Sequence, residues 1–186
     1  YSVSIVDQNN CSNSNQITLN EPTPLNLNFD ISNYNGFNIS CNGFEDGFIN
    51  TLVSGSVPPY SYEWNTGLNT QNLFLLSSNN YSLQVSDLNN CQIFGEAFLT
   101  QPNDFFISLN FSSDTCSKGI GNGEVYITPE ANPYQILWSN GETDYEINNL
   151  FSGNNSVSVT DMYGCEKSID FFTGDLPSPI ANFYME

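Results

Sequence analysis

The stretch Pro59-Tyr60-Ser61-Tyr62-Glu63-Trp64-Asn65-Thr66-Gly67 returns later in the chain as Pro133-Tyr134-Gln135-Ile136-Leu137-Trp138-Ser139-Asn140-Gly141. The two tryptophans mark a shift of about 74 residues, which is the length of a small domain. In both copies, apolar or aromatic side chains alternate with other residues up to the tryptophan, a pattern that predicts a β-strand with one buried face. The repeat therefore indicates a tandem array of similar β domains.

A second motif occurs three times, at residues 1–11, 81–91 and 156–165. Each copy is an alternating strand that ends in an aspartate, and a cysteine follows the aspartate four residues later. The later two copies follow the two tryptophan strands, whereas residues 1–11 have no such strand before them. We therefore expect residues 1–24 to be the C-terminal part of a truncated repeat.

Proline-containing joints divide the rest of the chain. Pro22, Pro102 and Pro177 stand at equivalent places, and proline stiffens a connection because its ring restricts φ. The predicted domains are two full β-sandwich repeats, at 25–102 and 103–176. Residues 177–186 are then a linker or the start of the next domain.

Short strands fill the first full repeat. Apolar alternation and short apolar runs predict strands at 25–31, 37–41, 48–53, 60–64, 73–76, 81–86 and 92–99. Dipeptides such as Asp46-Gly47 and Asn122-Gly123 are typical of tight hairpins, and no stretch keeps the period of an amphipathic helix. We expect an all-β fold of tandem immunoglobulin-like antiparallel β-sandwich repeats with one disulfide per repeat.

The cysteine spacing predicts how these small domains are stabilised. Cys41 and Cys91 lie about 50 residues apart, as do Cys116 and Cys165, and each pair brackets the tryptophan strand of its own repeat. We expect the bonds Cys41–Cys91 and Cys116–Cys165, each worth about 4 kcal/mol in the chain-entropy model. Cys11 belongs to the truncated repeat and is left over. Disulfides indicate a secreted or cell-surface protein.

The charge of the chain restricts its partners. It has 20 acidic residues, two lysines, no arginine and no histidine, and its net charge is −18. Such a surface repels nucleic acid and anionic membranes, so neither is expected as a direct partner. The acidity serves solubility and repulsion along an extracellular array, or alternatively the uptake of calcium.

The aromatic residues of the repeated stretch are expected to anchor the cores. Alternation places Trp64 with Tyr60, and Trp138 with Tyr134, on one face of each strand. A buried tryptophan near a disulfide is typical of sandwich domains. The alternative is an exposed aromatic surface on which sugar rings stack.

The aspartates that precede the repeat cysteines have two interpretations. A short carboxylate at Asp7, Asp87 or Asp161 can accept hydrogen bonds from backbone amides of the following turn. The alternative is calcium coordination, although the spacing fits no 12-residue calcium loop. The residues proposed for that alternative are Asp87, Asp161, Asp46 and Glu45, with Glu124 as a further co-ligand.

Catalysis is not expected from this composition. Without histidine or arginine, a catalytic triad, a zinc site of the usual type or a phosphoryl clamp cannot be assembled. A carboxylate pair for glycoside hydrolysis is the remaining option, but neither repeat carries an insertion that would form a substrate cleft. We predict that the chain is not an enzyme.

The order of motifs resembles a known family. The first repeat carries Ser40-Cys41-Asn42-Gly43, Asp46-Gly47, the Pro-Tyr-to-Trp64 stretch, Asp87, Asn90-Cys91 and Gln101-Pro102. This order resembles the SprB repeat of large cell-surface adhesins of gliding Bacteroidota. The second repeat is looser, with Lys118-Gly119-Ile120-Gly121 where the family usually continues directly into Asp-Gly. The resemblance implies export by the type IX secretion system, attachment to the outer membrane surface through regions outside residues 1–186, and, for the gliding adhesins, movement by the motility machinery.

Three functions follow as expectations. The first is an extended stalk or scaffold in a secreted adhesin, in which neighbouring repeats are the partners and the substratum is reached at a distance. The second is a carbohydrate-binding module, assisted by calcium, in which Tyr34, Tyr145 and Tyr163 face a surface polysaccharide. The third is a subunit of an extracellular filament that pairs through open sheet edges.

Overall fold

The computed structural model describes residues 1–112, 120–130 and 133–174. Within these ranges every regular element is a β-strand, so the predicted all-β class is confirmed. None of the described residues forms a helix that could span a membrane. The strands are β1 (Ser2–Val6), β2 (Ser12–Gln16), β3 (Asn26–Ile31), β4 (Gly47–Ser54), β5 (Ser61–Trp64), β6 (Leu73–Leu76), β7 (Asn80–Ser86), β8 (Gln92–Phe98), β9 (Phe106–Ser112), β10 (Ile120–Thr128), β11 (Gln135–Trp138), β12 (Glu146–Phe151), β13 (Gly153–Thr160) and β14 (Glu166–Thr173).

The strands form small antiparallel sheets that repeat in the same order. β3-β4-β6 and β5-β7-β8 are followed by β9-β10-β12 and β11-β13-β14, while β1 pairs with β2. Each strand of the first set therefore has a counterpart six strands later. The sheet order confirms the internal repeat that the two tryptophan stretches indicate, while the immunoglobulin-like assignment stays an interpretation.

One of the predicted strands does not form. Residues 37–41 alternate Phe37, Ile39 and Cys41, but the segment makes bends and a single bridge instead of a ladder. The amides of Asn38 and Ile39 both donate to the carbonyl oxygen of Thr100, at 2.9 and 3.0 Å. Two successive amides cannot point to one acceptor in a strand, because alternate amides face opposite sides.

Contacts divide the chain into two compact units. Unit 1 contains Tyr1–Asp30, Ile49–Leu73 and Asn80–Phe98. Unit 2 contains Ile31–Phe48, Phe74–Asn79 and the described residues from Leu99 onward. Parts of the first predicted repeat thus belong to unit 2. The boundaries at 25, 103 and 177 were deduced from sequence periodicity and stay a prediction.

The core of unit 1 is built around Trp64, which is 2% exposed. Its indole N–H donates to the carbonyl of Thr70 at 2.8 Å, and its ring lies 5.9 Å from that of Phe29. Leu83 and Val85 of β7 are also buried. The tryptophan therefore buries its ring and still satisfies its donor, as a buried indole requires.

The core of unit 2 repeats this arrangement around Trp138, which is 1% exposed. Its indole N–H donates to the carbonyl of Asp144 at 2.8 Å, and Phe171 meets its ring edge-on at 6.2 Å. The buried cluster consists of Phe105, Val125, Ile127, Ile136, Trp138, Ile147, Leu150, Val157 and Val159.

The two repeated tyrosines also keep equivalent places. Tyr60 donates its hydroxyl to the carbonyl of Gly55 in unit 1, and Tyr134 donates to the carbonyl of Pro129 in unit 2. Both rings are half-buried. Each hydroxyl is therefore bonded to a backbone carbonyl five residues earlier, so neither tyrosine forms an open sugar platform by itself.

Candidate functional site

The turn that follows β7 ends in a cysteine and is closed by four hydrogen bonds. The Asp87 amide donates to the Cys91 carbonyl at 3.0 Å, and the Asn90 amide donates to the Asp87 carbonyl at 3.1 Å. The carboxylate oxygen of Asp87 accepts from the amides of Asn89 and Cys91, at 2.9 and 2.7 Å. The carboxylate thus caps the turn, in the way that one of the two sequence interpretations predicts.

The same turn follows β1 and β13. Asp7 accepts from the Asn9 and Cys11 amides at 2.8 and 2.9 Å, and Asp161 accepts from the Tyr163 and Cys165 amides, both at 2.9 Å. The residue before each cysteine has a left-handed backbone: φ is 65° at Asn10, 62° at Asn90 and 90° at Gly164. Asparagine and glycine tolerate this conformation best, so the three copies share both sequence and geometry.

Asp87 is the most strongly engaged of the three carboxylates. It is 5% exposed, and its second oxygen accepts a hydrogen bond from the Ser56 hydroxyl. That hydrogen bond is the main reason why the pKa of Asp87 lies below its usual value, and the amides of Cys91, Val57 and Asn89 act in the same direction. Asp87 is therefore held as an ionised acceptor within its turn.

A second residue proposed for calcium is also engaged in hydrogen bonds. Asp46 accepts from both the amide and the hydroxyl of Ser40, with an amide distance of 3.1 Å. Asp87 lies in unit 1, whereas Asp46, Glu45 and Asp161 lie in unit 2. Within the described residues, no three acidic, histidine or cysteine side chains are grouped to hold a metal ion. The structure thus does not bring the proposed ligand set together in that part of the chain.

The disulfide joins cysteines that the spacing argument placed in different pairs. Cys41 is bonded to Cys165, with their Cα atoms 5.6 Å apart across 124 residues of chain. Cys91 and Cys11 are free and exposed. The predicted Cys41–Cys91 bond is therefore wrong, and so is Cys116–Cys165, although Cys116 itself lies outside the described residues. The expectation of one disulfide within each predicted repeat is therefore also wrong, because Cys41 and Cys165 belong to different predicted repeats.

Packing explains this pairing. A disulfide needs Cα atoms about 4.4 to 6.8 Å apart, and equal sequence spacing says nothing about which cysteines meet that distance. Residues 31–48 belong to unit 2, where they pack with the turn that carries Cys165, whereas Cys91 belongs to unit 1. Cys41 therefore finds the turn cysteine of the later repeat.

Further contacts surround the disulfide inside unit 2. The ring of Phe37 meets that of Tyr163 edge-on at 5.1 Å. Asn42 donates to the carbonyl of Pro102 at 3.2 Å, and the Gly43 amide donates to the side chain of Gln101 at 3.0 Å. We call residues 37–43, 101–105 and 161–167 the stapled joint, because they tie parts of both predicted repeats together.

An ion pair lies at the edge of the stapled joint. Lys167 donates to Asp104 at 2.7 Å, and its ammonium group lies 5.2 Å from the ring of Phe105 and 5.0 Å from that of Phe106. The Lys167 hydrogen bond holds the pKa of Asp104 below its usual value. Both charged side chains are about a third exposed, so the pair contributes on the order of 1 kcal/mol.

The three tyrosines proposed to face a ligand lie in different settings. Tyr163 is half-buried against Phe37 in the stapled joint. Tyr34 is 36% exposed and donates to the carbonyl of Asp46 at 3.0 Å. Tyr145 is 51% exposed. Of the three, Tyr145 presents the most open ring, while Tyr163 is committed to packing.

Tyr145 also borders an open cavity of about 500 Å³ in unit 2. The cavity is lined by Glu124, Val125, Tyr126, Ile127, Glu130, Tyr134, Tyr145 and Glu146. Tyr126 was not singled out from the sequence, although alternation along β10 would have placed it on the outer face between buried Val125 and Ile127. Its hydroxyl donates to Glu124, and that hydrogen bond raises the pKa of Tyr126.

Comparison with known families gives one match. A family model described as the SprB repeat matches residues 37–69, a stretch that contains Cys41 and the first tryptophan strand. No curated protein matches the chain. The resemblance drawn from the motif order is therefore confirmed where it is strongest: residues 37–69 are similar to the SprB repeat, a repeat type of cell-surface adhesins.

Proposed function

We propose that the chain is a repeat segment of a large secreted adhesin and acts as an extended stalk between the cell surface and the substratum. The observation that carries the proposal is the Cys41–Cys165 bond, which ties parts of two consecutive predicted repeats into one compact unit. The similarity of residues 37–69 to the SprB repeat supports a cell-surface setting. Gliding motility and type IX export are the finer parts of this proposal, and they rest on the resemblance alone.

The disulfide gives such a stalk a specific mechanical property. A pulling force that enters the chain before Cys41 and leaves it after Cys165 passes directly across the S–S bond. The residues between the two cysteines are then shielded from extension, even if their sheets lose stability. In the chain-entropy model, closing a loop of this length stabilises the folded state by about 5 kcal/mol. A module under traction at a cell surface benefits from both effects.

The composition also suits a stalk. A net charge of −18 keeps neighbouring molecules apart and the protein soluble. No catalytic role is part of the proposal, because the chain lacks histidine and arginine. The stalk's partners are its own neighbouring repeats, and the region that grips the substratum would lie elsewhere in the adhesin.

A second candidate function has a specific observation in its favour. The cavity beside Tyr145 combines three tyrosine rings with three carboxylates, a composition that suits stacking and hydrogen bonding to sugar rings. In this alternative the repeat is itself a carbohydrate-binding module. Calcium would have to act at a site other than the ligand set proposed from the sequence.

One binding experiment separates the two candidates. The purified chain is applied to immobilised polysaccharides and to abiotic surfaces, first with calcium and then with a chelator. The stalk predicts no saturable binding in either condition. Saturable binding that Tyr145→Ala abolishes and Tyr34→Ala leaves unchanged would instead establish the cavity as a carbohydrate site and refute a purely spacing role.

A further inference from the structure

Two cysteine turns have the geometry of a disulfide partner but carry a free thiol. The turns that end at Cys11, Cys91 and Cys165 share the same carboxylate cap and the same left-handed residue before the cysteine. Cys165 is bonded to Cys41, while Cys11 and Cys91 are exposed and free. The bonded copy therefore shows what this turn does when its partner is present.

The position of that partner follows from the observed bond. Cys41 is the first cysteine of the repeat at 25–102, and Cys165 is the second cysteine of the repeat that comes after it. We propose that the turn cysteine of each repeat bonds to the first cysteine of the repeat preceding it, so that disulfides interlock successive repeats along an array. Cys91 then forms a disulfide with the first cysteine of the repeat that precedes residues 25–102. Cys11, the turn cysteine of the truncated repeat, bonds in the same way to the repeat before its own.

The disulfide is the interaction that the equivalent turns can share. Tyr163, which packs on Phe37, is replaced by Asn9 and Asn89 at the matching positions of the other turns, and Lys167 is replaced by Ile93 beside Cys91. The ring contact and the ion pair therefore cannot form at the turns of Cys11 and Cys91. The aspartate cap and the cysteine are present in all three turns.

The chemistry needs an oxidant, which we take to be a small-molecule disulfide such as oxidised glutathione. The thiolate of one cysteine attacks the S–S bond, forms a mixed disulfide and releases one glutathione thiol. The second cysteine then attacks the protein-bound sulfur and releases the other glutathione. Two protein thiols are oxidised to one disulfide, and one glutathione disulfide is reduced to two thiols.

A duplicated repeat tests the pairing. Residues 23–102 are inserted again after Pro102, so that the chain runs 1–102 and continues with 23–186. Cys11 precedes Pro22, and Cys91 precedes Pro102, by the same number of residues, so the new joint keeps the natural spacing. After refolding with oxidised and reduced glutathione, the free thiols are alkylated, and peptides are mapped by mass spectrometry without reduction.

The expected map contains a bond from Cys41 of the first copy to Cys91 of the second, and a bond from Cys41 of the second copy to Cys165. Because the two copies give identical peptides, Cys41→Ser in the first copy identifies the partners: it removes the bond to Cys91 and leaves Cys41–Cys165 in place, whereas a bond within the second copy would persist. Replacement of the first copy's cysteine, Cys91→Ser, leaves both bonds in place. The same Cys91→Ser replacement in the second copy removes only the first bond and frees one Cys41 thiol. Because Cys91 is exposed, the substitution itself should not disturb folding.

Other maps would overturn the inference. These are a Cys41–Cys91 bond within one copy, a Cys11–Cys91 bond, or an unbonded Cys91 in the second copy. The inference extends the proposed stalk role, yet the two fail separately. Loss of the new bond while Cys41–Cys165 persists removes only the interlocking rule, whereas absence of Cys41–Cys165 removes the basis of both.

Discussion

Reduction of the Cys41–Cys165 bond should release a large, defined length of chain under force. In the oxidised protein, a pull on residues 1 and 186 passes across the bond and bypasses the chain between the cysteines, whose sequence separation is 124. A fully extended chain spans about 3.3 to 3.6 Å per residue, so reduction adds about 400 to 450 Å to the extended length. The disulfides first expected from sequence would instead exclude about 350 Å from the extended length, in two loops of about 50 residues each.

The assay is single-molecule stretching with handles at both ends, after the free thiols have been alkylated without reduction. Stretching is recorded before and after a reductant is added. A variant that combines Cys41→Ser and Cys165→Ser is the matched control, and it should show the full extension in both conditions. Equal extension of the parent chain with and without reductant would refute the mechanical argument, as would a gain of about 350 Å released in two steps.

Two further predictions concern stability. Gly123→Ala should lower the free energy of unfolding by about 1 to 3 kcal/mol, because the new Cβ would lie 2.9 Å from buried Trp138 and Leu150. The measurement is denaturant unfolding. Gly174→Ala is the control, since a Cβ at that position makes only an ordinary contact at 3.6 Å. Asp87→Asn should make the free energy of unfolding less dependent on pH in the acidic range. The lowered pKa of Asp87 means that its contribution is present above the usual aspartate pKa and is lost as pH falls through the folded-state value. Unfolding curves of the parent and the variant should therefore converge at low pH, and curves that stay parallel from pH 7 to 3 would contradict this.

Much of the fold could be predicted from local patterns. The repeated tryptophan stretch, the all-β class and the capped turns at Asp7, Asp87 and Asp161 all depend on residues close together in sequence. Side-chain alternation determines which strand face is buried, and a short carboxylate bonds to amides two and four residues ahead. These interactions are local, so the sequence contains them directly. The segment at 37–41 is the exception, because its alternation resembles a strand while its amides bond to Thr100 far along the chain.

The cavity beside Tyr145 shows a different limit. Alternation along β10 could have placed Tyr126 and Glu124 on an outer face, but Tyr134 and Tyr145 come from other parts of the chain. Their convergence depends on how β10 packs with Tyr134, directly before β11, and with Tyr145, directly before β12. Sequence reasoning therefore found Tyr145 as a single exposed aromatic residue and missed the group around it.

The amino-acid sequence by itself determined the repeat, most of the strands, the buried tryptophans and the turn that presents each cysteine. Only the tertiary structure decided which cysteines are bonded. The spacing between Cys41 and Cys91 nearly equals that between Cys116 and Cys165, so periodicity favours bonds within each repeat. A disulfide, however, forms where two Cα atoms come within bonding range, and the packing of residues 31–48 in unit 2 brings Cys41 to Cys165.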